Sequence, residues 1–182
     1  MSKKKAIRQN ILSLWKQCGK ERCVKIEGSS MRPLITRGSS IRFIPVSDPE
    51  MIRIGDIAVF QRGTCIIAHR IVGRIKKDGD LWFKEKGDNR FYPDSIGGDA
   101  IIGRVTGILQ NGVCTDLTAA RWICVNRLLG YYWKYLFAVM GCITRARRLL
   151  FAGRNAYLSG LYTRAVRWLL KLPQAVLRLR RF

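Results

Sequence analysis

The sequence predicts a mainly β protein, in which a domain of coiled antiparallel sheet lies between an N-terminal amphipathic helix and a basic helical C-terminal arm. From about Val24 to Thr118, short apolar runs alternate with turn residues, as in antiparallel strands. Before and after this stretch, apolar residues recur at the three- and four-residue spacing of helices. We therefore divide the 182 residues into 1–22, 23–117 and 118–182. The middle part has the length of one ordinary domain.

The first predicted element is a helix over residues 3–20, which opens with three consecutive lysines. Its apolar residues share one face, and they are Ile7, Ile11, Leu14, Trp15 and Cys18. The pattern is amphipathic, so this helix is not expected to span a membrane. Packing on the domain and lying on a membrane surface both remain open.

The central region contains five apolar runs of strand length, at residues 41–44, 57–60, 65–75, 81–83 and 101–109. Two dipeptides between or after them, Asp78-Gly79 and Asn111-Gly112, are of the kind that adopts the positive φ angles of two-residue hairpin turns. The region is therefore expected to form antiparallel hairpins.

The C-terminal arm is strongly basic. The chain carries a formal charge of +22, and residues 118–182 contain thirteen Lys and Arg and no carboxylate. The segment 128–144 is mostly apolar but short for a span of about 30 Å and is interrupted by Lys134. Residues 158–172 separate an apolar face from a basic one.

An anionic membrane surface is the expected partner of this arm, with 128–144 lying in the interface. Packing as a helical subdomain is an alternative, and nucleic acid is the least favoured. The six cysteines form no Cys-x-x-Cys pair and there is one histidine, so we expect no metal and no cofactor.

Four short motifs follow one another in the β region. They are the run Glu27–Pro33 (EGSSMRP), Gly55-Asp56 with its apolar strand, Ala68–Val72 (AHRIV) and Lys86–Arg90 (KGDNR). In content and order, over about residues 24–109, they resemble the superfamily of type I signal peptidases and SOS-repressor-like self-cleaving serine proteases. The resemblance implies a signal-peptidase-like fold and makes Ser30, directly before Met31, the nucleophile.

The same resemblance makes His69 the general base. Bacterial and repressor members have a lysine at this position, whereas the endoplasmic-reticulum and archaeal signal peptidases have a histidine and a Ser-His-Asp arrangement. The chemistry agrees, because a serine hydroxyl needs a neighbour to remove its proton and imidazoles exchange protons near neutral pH. His69 is the single histidine of the chain.

Two aspartates are candidates for the acid that orients His69. The resemblance favours Asp94 over Asp88. For the oxyanion hole it implies the backbone N–H of Ser30 and, in many members, a hydroxyl two residues earlier. That position is Gly28 here. Either the Ser29 hydroxyl substitutes or backbone groups act alone.

These residues lead to the expectation of a serine endopeptidase that cleaves a leader peptide or a partner protein at a membrane, through an acyl-enzyme. The arginine-rich arm places it at the cytoplasmic face under the positive-inside rule. A self-cleaving regulatory protease and a non-catalytic peptide-binding module of the same fold are the alternatives.

Overall fold

The computed structural model describes residue 15, residues 19–150, residues 168, 169 and 171–175, and residue 177, with the side chains of 147–150 excepted. The protein is mainly β, with a curled antiparallel half-barrel sheet followed by one long helix. The predicted fold class is confirmed at this level.

Among the described residues, eight strands form one sheet, in which every pairing is antiparallel. The strands are β1 (Arg22–Lys25), β2 (Ser40–Pro45), β3 (Ile57–Arg62), β4 (Cys65–Lys77), β5 (Asp80–Lys86), β6 (Asp94–Gly97), β7 (Ile101–Gln110) and β8 (Val113–Asp116). Their order across the sheet is β1-β2-β7-β3-β4-β5-β6, and β8 pairs with β7. Two 3-10 turns, Pro49–Met51 and Gly98–Ala100, interrupt the connections.

Both predicted hairpin turns are present. Asp78 and Gly79 join β4 to β5 with φ angles of 53° and 86°, and Asn111 and Gly112 join β7 to β8 with φ angles of 52° and 78°. A positive φ is tolerated by glycine and by the short polar side chains of Asp and Asn. The local turn chemistry therefore fixes these two strand pairs.

The strand β3 is buried on both faces, which explains its unbroken apolar sequence. Ile57 and Val59 enter the core that contains Met31, whereas Ala58 and Phe60 enter a second core on the other face. The turn that carries the candidate nucleophile therefore rests, through Met31, on the centre of the sheet.

The long helix α1 (Ala120–Leu150) packs its inner face on the sheet. Val125 and Leu129 belong to the same core as Met31, and Trp133 forms a smaller core with Val72 of β4. The beginning of the basic arm, as far as Trp133, therefore packs into the domain core.

Two glycines allow α1 to approach the turn before β3 at backbone distance. A Cβ on Gly55, whose φ is 97°, would lie 2.5 Å from the carbonyl oxygen of Asn126, and a Cβ on Gly130 would lie 2.5 Å from the nitrogen of Gly55. Since real Cβ atoms do not come so close, only glycine fits at either place. This contact holds α1 against the strands that carry the site.

The predicted N-terminal helix lies outside the described residues except for Trp15, which is helical and has its ring centroid 5.9 Å from that of Phe43. Most of the predicted helix 158–172 also lies outside them, and residues 168, 169, 171–175 and 177 are helical. No helix in the part of the chain that the structure describes is long and apolar enough to cross a membrane.

Candidate active site

The structure brings Ser30 and His69 into direct contact. The Ser30 hydroxyl oxygen lies 2.8 Å from Nε2 of His69, although 39 positions separate the two residues in the chain. Ser30 is half-buried in the turn after β1, and His69 is buried on β4 with 2% of its surface exposed. The pair expected to act as nucleophile and base is therefore within hydrogen-bonding distance.

The carboxylate on His69 belongs to Glu85, which no sequence pattern had singled out. Oε2 of Glu85 lies 2.5 Å from Nδ1 of His69, and Glu85 is buried with 1% of its surface exposed. A carboxylate only accepts hydrogen bonds, so Nδ1 carries the proton that it donates. Nε2 is then left with its lone pair and accepts the proton of the Ser30 hydroxyl, which is the arrangement that a general base requires.

The pairing of β4 with β5 explains why Glu85 meets the imidazole. Arg70 lies opposite Lys86 and Ile71 lies opposite Glu85. Side chains alternate between the faces of a strand, so His69 and Glu85 share one face as diagonal neighbours. The sequence did contain a signal for this contact. Glu85 lies two residues before Gly87, and alternate residues of a strand share one face.

Asp94 does not contact His69, and the prediction that it does is wrong. Asp94 begins β6, directly opposite Glu85, and its side chain is 54% exposed. Its Oδ2 accepts a hydrogen bond of 2.6 Å from Arg62, which also donates to Oε1 of Glu85 at 2.9 Å. The backbone N–H of Ser95 and then the Arg62 guanidinium lower the pKa of Asp94. Asp94 is therefore connected to the imidazole only indirectly, through Arg62 and then Glu85.

Asp88, the alternative acid, is also not in contact with His69. Its two carboxylate oxygens accept hydrogen bonds of 2.8 Å each from Nε and Nη2 of Arg70. Arg70 is fully buried and also donates to Oδ1 of Asn126 on α1, at 2.7 Å. Since Arg70 follows His69 in the strand, this pair lies on the opposite face and ties the site to the helix.

The turn after β5 holds Ser30, the candidate nucleophile, in place. The backbone N–H of Asn89 donates to the carbonyl of Ser30 at 2.7 Å. A Cβ on Gly87 would lie 2.7 Å from that carbonyl oxygen and 3.0 Å from Nε2 of His69. Gly87 is therefore required by close approach, and the Gly-Asp-Asn motif positions Ser30.

Lys86 is a buried cation behind the site. It is fully buried, its Nζ lies 3.6 Å from the ring centroid of Trp133 on α1, and it donates to the carbonyl of Gly87 at 3.0 Å. Burial lowers the pKa of Lys86 to about 8, and the negative charge of Asp88 opposes this shift. Lys86 thus joins the strand that carries Glu85 to the helix.

The candidate oxyanion-hole donors are the Ser30 N–H and the Ser29 hydroxyl. The Ser30 N–H makes no hydrogen bond to an acceptor among the residues described. The Ser29 side chain is exposed and makes no hydrogen bond within the same set, whereas the Ser29 carbonyl accepts from Asn89. A Cβ on Gly28 would have no atom within 4 Å. No described residue therefore holds the Ser29 hydroxyl in the site.

An apolar cavity of about 230 Å³ borders Ser30. It lies between the chain that follows β1 and the start of β4. Apart from Ser30, its lining is mainly apolar and includes Val24, Ile26, Met31, Ile35, Ile41, Val59, Ile66, Ile67 and Ala68. A cavity of this kind can receive an apolar side chain of a ligand.

No protein-family model matches the chain, and no curated protein matches it. Within the described ranges, no group of three His, Cys, Asp or Glu residues could hold a metal ion. The contacts of Ser30, His69 and Glu85 are therefore the observations on which a functional proposal depends.

Proposed function

We propose that the protein is a serine endopeptidase of the kind that its motifs resemble, with Ser30 as nucleophile, His69 as general base and Glu85 as the acid that orients His69. The observation that carries the proposal is the continuous chain of two hydrogen bonds, 2.8 Å from Ser30 to His69 and 2.5 Å from His69 to Glu85. Three separate segments supply these side chains. A Ser-His-acid triad is recognised by the geometry and roles of its residues, and not by their positions in the sequence.

In the proposed reaction the Ser30 oxygen attacks the carbonyl carbon of a peptide bond while Nε2 of His69 takes the hydroxyl proton. Glu85 stabilises the imidazolium that forms, and the Ser30 N–H donates to the oxyanion. Collapse of the tetrahedral intermediate breaks the C–N bond, and His69 gives its proton to the leaving amine. Water, deprotonated by His69, then hydrolyses the Ser30 ester and restores the hydroxyl.

The substrate proposed is a leader peptide or a partner protein, cleaved at the cytoplasmic face of a membrane. The cavity of about 230 Å³ supports a substrate with an apolar side chain close to the scissile bond, since it adjoins Ser30. The thirteen basic and no acidic residues of 118–182 support a location at an anionic surface.

A fluorophosphonate probe tests the proposal without knowledge of the substrate, because it phosphonylates activated serines. We expect the full chain to be labelled at Ser30, and Ser30→Ala and His69→Ala to lose the label. Ser29→Ala is the matched control, since it removes a neighbouring hydroxyl that is exposed and makes no hydrogen bond among the described residues. Equal labelling of wild type and Ser30→Ala, or no labelling of folded wild type, would refute a catalytic role and leave a peptide-binding module.

A further inference from the structure

The helix α1 has a second apolar face, which nothing in the described structure covers. Its exposed residues are separated by three or four positions and so share one side of the helix. We call them the outer stripe: Leu128, Tyr131, Tyr135, Val139 and Cys142. The exposed fractions are 66% for Leu128, 62% for Tyr135 and 55% for Val139. An exposed apolar surface of this extent on one helix indicates an interaction site.

Cations flank the outer stripe. Lys134 and Arg145 are exposed on one flank, three helical turns apart. Nζ of Lys134 lies 5.8 Å from the ring centroids of both Tyr131 and Tyr135. No Asp or Glu follows Asp116 in the chain. The helix therefore presents positive charge with no carboxylate of its own to neutralise it.

This combination selects one kind of partner. A second copy of α1 would bury the stripe but would bring Lys134 and Arg145 near their own counterparts, with no acid on either helix to relieve the repulsion. A nucleic acid would neutralise the cations but would leave Leu128 and Val139 in water. An anionic lipid surface satisfies both, because headgroups pair with the cations and the acyl boundary receives the apolar side chains.

We propose that the outer stripe of α1 docks in the plane of an anionic membrane, with Lys134 and Arg145 contacting lipid headgroups. The helix has 31 residues and is roughly 46 Å long, so it would lie along the surface. Tyr131 and Tyr135, whose rings stack at 6.3 Å, have the apolar body and polar tip suited to the interface. This inference does not depend on the proposed peptidase activity.

Docking through the outer stripe would also fix the candidate site relative to the membrane. The inner face of the same helix holds Asn126 against Arg70 and Trp133 against Lys86. The strands that carry His69 and Glu85 are thus fixed to the element that touches the membrane.

Vesicle flotation with the full chain tests the surface. We expect binding to vesicles of phosphatidylcholine with phosphatidylserine, and at least tenfold weaker binding to phosphatidylcholine alone. Val139→Ser combined with Leu128→Ser should weaken binding to the anionic vesicles at least tenfold. Val113→Ser on β8 is the matched control, because Val113 is also exposed, at 65% against 55% for Val139, but lies outside α1.

Alkylation of the native cysteines locates the contact. Cys142 in the outer stripe and Cys114 on β8 are both exposed free thiols. We expect anionic vesicles to slow the reaction of N-ethylmaleimide with Cys142 severalfold and to leave that of Cys114 unchanged, as quantified by peptide mass spectrometry.

Three results would overturn the proposal. The first is no binding to anionic vesicles, the second is undiminished binding by the Leu128→Ser/Val139→Ser variant, and the third is an unprotected Cys142. A dimer or a nucleic-acid complex that the double variant abolishes, without vesicle binding, would assign the stripe to that partner instead. Fluorophosphonate labelling of the same variant reports separately on Ser30.

Discussion

The carboxylate of Glu85 lies 2.5 Å from Nδ1 of His69. Asp94 lies directly opposite Glu85 on the next strand, and its carboxylate is linked to that of Glu85 through Arg62. This relationship assigns different roles to two carboxylates that face each other across one strand pair. Glu85 sets the tautomer of the imidazole, and Asp94 helps to hold the arginine that holds Glu85.

Glu85→Gln should therefore be far more damaging than Asp94→Asn. An amide in place of Glu85 can donate to Nδ1 and so favour the tautomer in which Nε2 carries the proton and cannot accept one from Ser30. Replacing the orienting acid of a Ser-His-Asp triad by an amide lowers turnover by about 10⁴, so we expect the rate of fluorophosphonate labelling to fall by about that factor. Asp94→Asn should lower it less than tenfold, because Asp94 is exposed and makes no contact with the imidazole.

Circular dichroism of both variants controls for folding, since Glu85 is buried. A larger loss for Asp94→Asn than for Glu85→Gln would reverse the assignment of the two acids.

The sequence predicted the strands and turns that depend on local chemistry. The hairpin at Asp78-Gly79 was predictable because positive φ angles favour those residue types. The contact between Ser30 and His69 was expected from the motifs that flank each residue. The first prediction rests on signals within two residues of the chain, and the second on the resemblance that the ordered motifs carry over about residues 24–109.

The acid was not predictable in this way, because it depends on register. Whether Glu85 or Asp94 meets His69 is decided by the pairing of β4 with β5, which contains a shift between Ile71 and Gly73. The short strand β6 has the sequence Asp-Ser-Ile-Gly and lacks the apolar run by which a strand is predicted. Because β6 was not predicted, the position of Asp94 on the far side of Glu85 was not predicted either.

The face of the C-terminal arm that packs on the sheet was also not predictable from the sequence. Residues 128–144 are apolar on two sides, and periodicity alone does not say which side meets the sheet. The structure assigns Leu129 and Trp133 to the inside and Leu128 and Tyr135 to the outside.

Gly28→Ser tests the oxyanion hole. Many members of the superfamily that the motifs resemble have a hydroxyl two residues before the nucleophile. A single oxyanion-hole donor changes the rate by about a hundredfold or more. A Cβ on Gly28 would have no atom within 4 Å, so the serine fits without displacement. We expect the labelling rate to rise at least tenfold, with the melting temperature little changed.

Gly28→Ala is the companion variant, since it adds the Cβ without the hydroxyl and should leave the rate near that of wild type. If both substitutions lower the rate alike, Gly28 does not face the oxyanion.

Gly87→Ala should lower the labelling rate by about a hundredfold while the protein remains folded. The added Cβ would lie 2.7 Å from the Ser30 carbonyl oxygen and 3.0 Å from Nε2 of His69, so the nucleophile turn or the imidazole must move. A shift of about 1 Å in a catalytic group costs on the order of a hundredfold in rate. Gly28→Ala adds the same atom in open space and serves as the control for the methyl group. A labelling rate for Gly87→Ala within twofold of wild type would contradict the close approach.

Lys86→Met tests the buried cation, and its effect should depend on pH. Burial lowers the pKa of Lys86 from 10.5 to about 8 in the folded protein, so between these pH values the unfolded chain binds more protons than the folded one. The free energy of unfolding of wild type should then rise with pH over this window, relative to a variant without the amine. Below pH 8 the lysine is charged in both states, and the variant avoids the cost of burying that charge while Met still packs on Trp133. The shift from 10.5 to about 8 corresponds to a change on the order of 3 kcal/mol in the stability difference between wild type and variant.

Denaturant unfolding of wild type and Lys86→Met at intervals from pH 7 to pH 10.5 measures this difference. We expect the variant to be the more stable below pH 8 and its advantage to shrink as the pH rises. Lys77→Met, at the exposed end of β4, is the matched control for the removal of one lysine. A stability difference that is constant from pH 7 to pH 10.5 would mean that Lys86 keeps its proton in the fold, and that its contact with Trp133 compensates for burial.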